Sequence, residues 1–500
     1  MPEHYDVIIV GAGMGGGILA ARLAQHGVNA RNGEKLRIAL MDMGPYYKGD
    51  PRPGYGIPER RALFANVPGT DDINFMASTP WGTSAGIGGQ SLHWGADADL
   101  PDEEDHQDWI QETGVDWSHE KFSDAREEIT EMFHIQPVPE AVLAPGSLQF
   151  RDAVIAMGYA PTRNHRAVLN CIECGHCAEN GCKYDSKSGT LVRYIPIAER
   201  NGVEILPNTR VEKVLIEKKG ARAAATGVVY TRAGKTDQAG ADHVMLCCNS
   251  TGTSLLLFQS GYGPRGKVKE LLVENENVGQ HTVMSLQNAV WGIFDEPIKR
   301  RDLAWGSSFR ILDRGPNGYL NLDINDLISF HGFIGNYLYQ MALNEIAPPF
   351  GKEHKEYMKK WLHFGAVNSH VIRQNLVSGE ISATGRHIIN RNHPEILKRA
   401  QQGREISREI LLKMGARKTS DISKPFQVGS TPSNGTSGGC RAGADRGNSV
   451  VNSDFECHDI DNLYICDNGV VPYTGAGGIY TAYVSCYAWR RMVAKHFSRA

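Results

Sequence analysis

The chain has 500 residues, 41% of them hydrophobic and 22% charged, with 53 Lys and Arg against 56 Asp and Glu. This ordinary composition and a net charge of −3 argue against a disordered chain, a nucleic-acid-binding surface or an acidic tail. No apolar run approaches the roughly 20 residues of a membrane helix, and Met1-Pro2-Glu3-His4 does not begin a signal peptide, so a cytoplasmic location is expected. Two features depart from the average: 55 glycines and ten cysteines, four of which crowd into Cys171 to Cys182.

Tyr5 to Val10 is a short β-branched run that reads as a buried strand. Gly11, Gly13 and Gly16 follow as G-x-G-x-x-G, and Ile18 to Ala24 has a helical composition. Strand, glycine turn and helix together predict a dinucleotide site: Gly11 for the tight turn, Gly13 for close approach of a pyrophosphate, Gly16 for helix packing. A second strand, Leu36 to Met41, ends at Asp42, which is placed to accept hydrogen bonds from a ribose. The polar stretch Asn29 to Lys35 reads as a surface insertion. Pro80 to Gly95 is too glycine-rich for a helix or strand interior and reads as a loop wrapping a flat ligand.

Further along, Asp102 to Phe133 is acidic and helical in pattern. Cys171, Cys174, Cys177 and Cys182 follow as C-x2-C-x2-C-x4-C. That spacing fits ligation of an iron–sulfur cluster, four-thiolate zinc, or thiols that are free or paired. Asn321 to Ile334 is strand-like, Pro394 to Met414 an amphipathic helix, and Thr481 to His496 a terminal helix. No internal repeat or low-complexity linker interrupts the chain.

Gly88-Gly89-Gln90-Ser91-Leu92-His93-Trp94 is similar to the G-G-x-S-x-H-W segment of the glucose–methanol–choline (GMC) family of FAD oxidoreductases, nearest the pyranose oxidase and gluconate dehydrogenase large-subunit branches. In that family the segment lies against the flavin, and the histidine matching His93 carries the flavin covalently in pyranose oxidases. Val211, after Asn208-Thr209-Arg210, matches a backbone contact to adenine. Cys247 to Thr253, which includes Asn249, fills the place of a strand-to-helix turn near the nucleotide. Asn462 to Pro472 is similar to N-L-Y-V-x-D-x-S-x-x-P, which puts Asp467 and Gly469 at the ribityl and phosphate region. The resemblance therefore makes Gly88, Gly89, Ser91, His93, Trp94, Val211, Asn249, Asp467 and Gly469 candidate FAD contacts beside Gly11, Gly13, Gly16 and Asp42. It covers both ends of the chain well and the middle poorly.

The implied fold is α/β: a Rossmann-like FAD-binding domain of GMC type and a discontinuous α+β substrate-binding domain. Residues 1–100, 190–285 and 430–500 would build the first. Residues 286–429 would build the second, and residues 101–189 a helical and cysteine-loop segment. The cysteine segment resembles that of gluconate dehydrogenase large subunits and some bacterial cholesterol-oxidase-like proteins. Relatives of the former pass flavin electrons to an iron–sulfur centre and a cytochrome, which implies an electron-transfer or small partner subunit.

The family oxidises alcohols with a histidine base and a second His or Asn. The frame Asn434 to Asp445 puts Gly435 where the histidine belongs, and Gly477 or Gly478 stands at the second position. Glycine cannot act as a base. Proton handling then falls to His331, His363 or His370 in the substrate-side region, or to Tyr473 or Tyr480. The resemblance implies oxidation of a hydroxyl of a sugar, glycoside or polyol by hydride transfer to the flavin, with oxygen, a quinone or an iron–sulfur/cytochrome chain as acceptor. The emptied positions leave two alternatives: a flavin-dependent isomerase or lyase, and a noncatalytic flavoprotein subunit.

Overall fold

The computed structural model describes residues 3–47, 85–92, 94–172, 182, 184–220, 222–284, 286–298, 308–313, 320–324, 342–371, 378–385, 387–388, 393–423, 436–473 and 479–499. In chain order, β1 (Glu3–Val10), α1 (Met14–His26) and β2 (Ile38–Met41) come first. The helices α2 (Glu103–Thr113) and α3 (Ser123–Met132) precede a two-residue strand, β3 (Thr162–Arg163). Then come β4 (Glu204–Leu206), β5 (Thr209–Lys219), β6 (Arg222–Arg232), β7 (Lys235–Leu246) and α4 (Asn249–Gln259). The next strands are β8 (Val283–Met284), β9 (Leu286–Ile293), β10 (Phe309–Asp313), β11 (Leu320–Ile324) and β12 (Phe364–Val371). They lead to α5 (Pro394–Lys413), β13 (Lys418–Thr419), β14 (Thr436–Ser437), β15 (Ile460–Asp461), β16 (Leu463–Ile465) and α6 (Tyr480–His496).

Val7 to Val10 and Ile38 to Met41 are continuously buried, as strands of a parallel sheet covered on both faces must be. β1 runs parallel to β2 on one side and to β7 on the other, and β2 runs parallel to β4. The sheet has eight strands in the order β15-β6-β7-β1-β2-β4, with β16 added to β7 and β5 to β6. β5, β6 and β7 form an antiparallel meander, and the end of β7 turns to parallel pairing with β16. α1 and α6 pack together beside this sheet. Asn29 to Lys35 is an exposed turn closed by the Asn29 amide on the Glu34 carbonyl.

The second sheet is six-stranded and antiparallel, in the order β13-β9-β12-β11-β10-β3. Its edge strand β3 comes from the segment preceding the cysteines, so residues 101–189 contribute directly to this sheet. A Cβ placed on Gly292 would lie 3.1 Å from Leu411 of α5. The row Gly292–Gly365 therefore faces α5. Alternation along a strand turns Phe364, Ala366, Asn368 and His370 the other way. At one end of that opposite face Trp291, Ile293, Phe364 and Ala366 are buried against Ala342, Leu343 and Ile346. Toward the other end the residues at register positions become polar.

Acidic helices form where the sequence places them. Asp102 caps α2, accepting from the Asp105 amide while Asp105 accepts from the Asp102 amide, and Gly114 ends the helix in the left-handed region.

Candidate active site and cofactor cleft

A cleft opens at the carboxyl ends of β1, β2, β7 and β16, the place where open α/β sheets bind ligands. Its empty volume, mouth included, is about 1210 Å3, against about 300–1,000 Å3 for common small-ligand sites. Two helix N-termini converge on it. Gly13, Met14 and Gly15 at the start of α1 line one wall, and Asn249, Thr251 and Gly252 at the start of α4 line another. Neither helix has an acidic residue in its first turn. Both therefore offer an anion the positive potential of a helix start.

The glycines divide into those the protein itself requires and one it does not. A Cβ on Gly16 would sit 1.9 Å from the Gly11 carbonyl oxygen, so only glycine lets α1 seat on the end of β1. Gly89 has φ +51°, and its Cβ would lie 2.5 Å from the Gly13 Cα. The loop at 85–92 thus crosses directly over the first glycine turn, tied by the Gly88 amide to the Ala12 carbonyl at 2.8 Å. Gly13 itself has room: a Cβ there would meet nothing nearer than the Gly89 Cα at 3.7 Å. Space left free on the cleft wall is what a close-approaching ligand uses.

Asp42 is buried, and three backbone amides donate to it at 2.8 Å: Ala12 to one oxygen, Gly44 and Gly86 to the other. Burial pushes its carboxyl above the ordinary value, against the pull of those amides. A carboxylate has about four acceptor positions, so one remains for a ribose hydroxyl while the others pin the two glycine loops together. Asp467 accepts from the Gly469 amide at 2.7 Å and the Thr253 hydroxyl at 2.6 Å. Burial pushes its pKa up to about 6. Beside it, the Ser250 amide donates to Asn468 Oδ1 at 3.3 Å, and Asn468 Nδ2 donates to the Thr436 carbonyl.

Gly11, Gly13, Asp42, Gly89, Val211, Asn249 and Asp467 line the cleft, with Thr209, Arg210 and Gln90. Ser91 does not. It is buried beneath the crossing loop, donating to the Gly88 carbonyl at 2.6 Å and accepting from the Thr190 amide at 3.2 Å. Trp94 turns away, its indole N–H on the Ser188 carbonyl at 3.0 Å and its ring tilted against Phe133. Thr190 braces the crossing, and no motif pointed to it. Thr253 lay within a quoted turn, but its bond to Asp467 spans 214 residues. His93 lies outside the described residues.

The described proton-handling candidates do not stand together. Tyr473 is buried, and its carbonyl accepts from the Trp109 indole at 3.2 Å. Tyr480 packs edge-on to Trp109, with ring centroids 5.5 Å apart. His363, at the start of β12, donates through Nδ1 to the Phe294 carbonyl at 3.1 Å. His370, at the other end of β12, is half-buried, and burial together with the Arg310 guanidinium holds its ring down at about 4. His331, Gly435, Gly477 and Gly478 lie outside the described residues, as do Cys174 and Cys177. Cys171 and Cys182 are described, and among the described residues no three His, Cys, Asp or Glu side chains are placed to hold a metal.

Fold and cleft define a dinucleotide-binding α/β protein with a separate six-stranded antiparallel sheet. Residues 7–285 match the model of the N-terminal part of GMC oxidoreductases and residues 374–488 that of the C-terminal part, so the chain belongs to the GMC oxidoreductase family. The family's members are FAD-dependent oxidoreductases. A long-chain-alcohol oxidase of Arabidopsis thaliana is 26% identical over 316 residues, covering 58% of this chain and 37% of its own length. A cholesterol oxidase of Mycobacterium tuberculosis is 24% identical over 295 residues, covering 52% of this chain and 48% of its own. The chain thus spans less than half the length of these two curated relatives. The fold of pyridoxine 4-oxidase from Mesorbium loti superimposes with a TM-score of 0.70 at 16% identity, covering 98% of this chain and 99% of that one. Among the described residues no helix is long and apolar enough to cross a membrane.

Proposed function

We propose that the chain binds FAD in the cleft between the two helix N-termini and oxidises a hydroxyl of a sugar, glycoside or other polyol. The observation that carries the cofactor is the crossing of Gly89 over Gly13. It leaves a Cβ-sized space on a wall of amide donors, suited to a pyrophosphate. Asp42 would hold the adenosine ribose, Val211 the adenine, and Asp467 the ribityl end. His93 is the candidate for a covalent flavin bond. Bound FAD supplies a two-electron acceptor for hydride. The protein's own part is to orient the hydroxyl and take its proton.

Two features support a polyhydroxylated substrate. One is the G-G-Q-S-L-H-W segment, similar to that of the sugar-oxidising branches. The other is the face of the second sheet turned away from α5, where Gln287, His370 and Asn321 share one register row and Asn368, Asp323 and Arg310 the next. Leu312 and Ala289 complete these rows, and their polar majority suits a ligand whose surface is mostly hydroxyl groups. The relatives oxidise other alcohols by name, among them long-chain alcohols and cholesterol, so the test must include them. The reading places the FAD-binding portion at 1–100, 190–285 and 430–500 and the substrate portion at 286–429. It assigns no metal chemistry to the cysteine segment.

Anaerobic mixing of the flavin-loaded protein with sugars, glycosides, polyols, a long-chain alcohol and cholesterol tests this. Lasting bleaching of the flavin bands by a sugar or glycoside is the expected result. Bleaching only by the apolar alcohols overturns the substrate class. Rearranged product with no lasting bleaching overturns net oxidation in favour of an isomerase or lyase.

A further inference from the structure

We infer that His370 takes the proton of the substrate hydroxyl in place of the histidine missing at Gly435, and that Arg310, anchored by Asp99, is the residue that positions it. This rests on the reading above that the chain oxidises a hydroxyl.

Register leads from the emptied position to His370. β8 pairs with β14 through Val283–Ser437 and Met284–Thr436, beside Gly435. β9 begins at Leu286, and its Gln287 lies opposite His370. Met284 and Gln287 are three residues apart, a span of at most about 10 Å. His363 lies seven residues before His370, just ahead of β12, at the end closed by the apolar cluster.

The face on which His370 lies is tied by an ion pair to the continuation of the loop proposed to contact the flavin. Arg310 shares that face, being paired with Asp323, which is paired with Asn368. Its Nη1 lies 3.0 Å from Asp99 Oδ2, with the two side chains 14% and 5% exposed. Asp99 follows Trp94 by five residues. Arg166 holds the same stretch, donating to the Gly95 carbonyl at 3.4 Å and lying 3.5 Å from Asp97. The sheet face carrying His370 is thus clamped to the segment leaving the glycine loop.

Among the described residues, the charged groups tied to this region are Arg310, Asp99, Asp97, Arg166 and His165, the last 2.9 Å from Asp99, with Asp323 at a register position on the same face. Burial first, and the Arg310 guanidinium second, hold the His370 ring neutral. A neutral imidazole is the form that accepts a proton. The step balances simply: the O–H proton goes to a ring nitrogen of His370, the C–H hydride with its two electrons leaves for the flavin, and the carbon–oxygen bond becomes a carbonyl.

His370→Gln should lower kcat by about 10²–10⁴-fold with flavin content and melting temperature retained. His370→Ala should regain turnover with added imidazole. Arg310→Gln should move the acid limb of kcat/KM upward, toward an ordinary histidine value of about 6.5, and Arg310→Lys should largely restore it. The His370 ring resonance, assigned by its loss in His370→Gln, should titrate higher in Arg310→Gln than in wild type. A kcat for His370→Gln within tenfold of wild type removes His370 from the reaction. An unmoved acid limb or ring titration removes Arg310 from the positioning role. If wild type bleaches with no hydroxyl compound, the functional reading fails, while the ring titration still decides whether Arg310 governs His370.

Discussion

Replacing Gly13 and Gly89 separately by alanine should split the cofactor from the fold. At Gly89 the new Cβ meets the Gly13 Cα at 2.5 Å, backbone against backbone, with φ at +51°. Left-handed strain contributes about 1–2 kcal/mol and forced repacking about 1–3 kcal/mol. Gly89→Ala should therefore lose about 2–5 kcal/mol of stability with or without flavin. At Gly13, φ is −73° and ψ −153°, a conformation open to alanine, and the nearest atom is 3.7 Å away. Only the weaker N-cap preference of alanine counts, about 0.5–1 kcal/mol. A pyrophosphate against that wall would nevertheless meet the methyl group, and FAD affinity should fall at least about tenfold, or about 1.4 kcal/mol. Urea unfolding of the flavin-free proteins gives the first quantity, and fluorescence quenching during FAD titration the second. Gly13→Ala binding FAD within twofold of wild type would refute the cleft as the pyrophosphate site.

Asp467 has a folded pKa of about 6 against 3.8 for the free side chain. A raised value contributes stability fully present below pH 3.8 and lost as pH rises through 6, a swing of about 3 kcal/mol. Flavin-free wild type should lose about that much relative to Asp467→Asn between pH 4 and pH 7, measured by urea unfolding; a constant difference contradicts it. Glu128 is buried and bonds Arg22 at 2.7 Å on α1, Arg490 at 2.6 Å and the Trp489 indole at 3.0 Å on α6, and the Tyr194 hydroxyl at 3.2 Å. Glu128→Ala leaves two arginines without it and should cost about 3–5 kcal/mol. A loss under 1 kcal/mol in denaturant unfolding would show that these bonds do not hold the two helices together.

What the sequence made legible is what local chemistry decides. Val7 to Val10, Gly11 to Gly16 and the helix after them are contiguous, so strand period, positive-φ turn and helix start can all be read in one window. α5 and α6 are long and amphipathic or small-residue-rich, and they lie within one residue of their expected limits. Asp42 shows where this stops. The acid at the strand end was readable, but its bond to the Gly86 amide crosses 44 residues and makes it a clamp between loops as well as a ribose candidate. Ser91 and Trp94 sit in a readable motif, yet Thr190 and Ser188 decide which way they point. The second sheet was barely visible because its edge strands β3 and β13 are two residues each, as are β8 and β14 of the separate pair beside it. Pairing at that length is set by partners far along the chain and leaves no period to detect.

The two halves of the site differ for the same reason. The cofactor cleft is made mostly of backbone: amides at two helix ends, and glycines whose missing Cβ atoms make room. Such a site has a sequence signature, since only glycine tolerates a Cβ position 1.9 or 2.5 Å from another main-chain atom. The proton-handling half is made of side chains, and the family resemblance puts glycine at its two motif positions, Gly435 and either Gly477 or Gly478. Once those positions are empty, the remaining way to place a base is through charges and ring nitrogens brought together by tertiary pairing. Arg310 and Asp99 are separated by 211 positions in the chain yet lie 3.0 Å apart. A buried pair of that kind is costly to desolvate and adds little to stability by itself. Its position between the flavin loop and the strand of His370 gives it a use that stability does not.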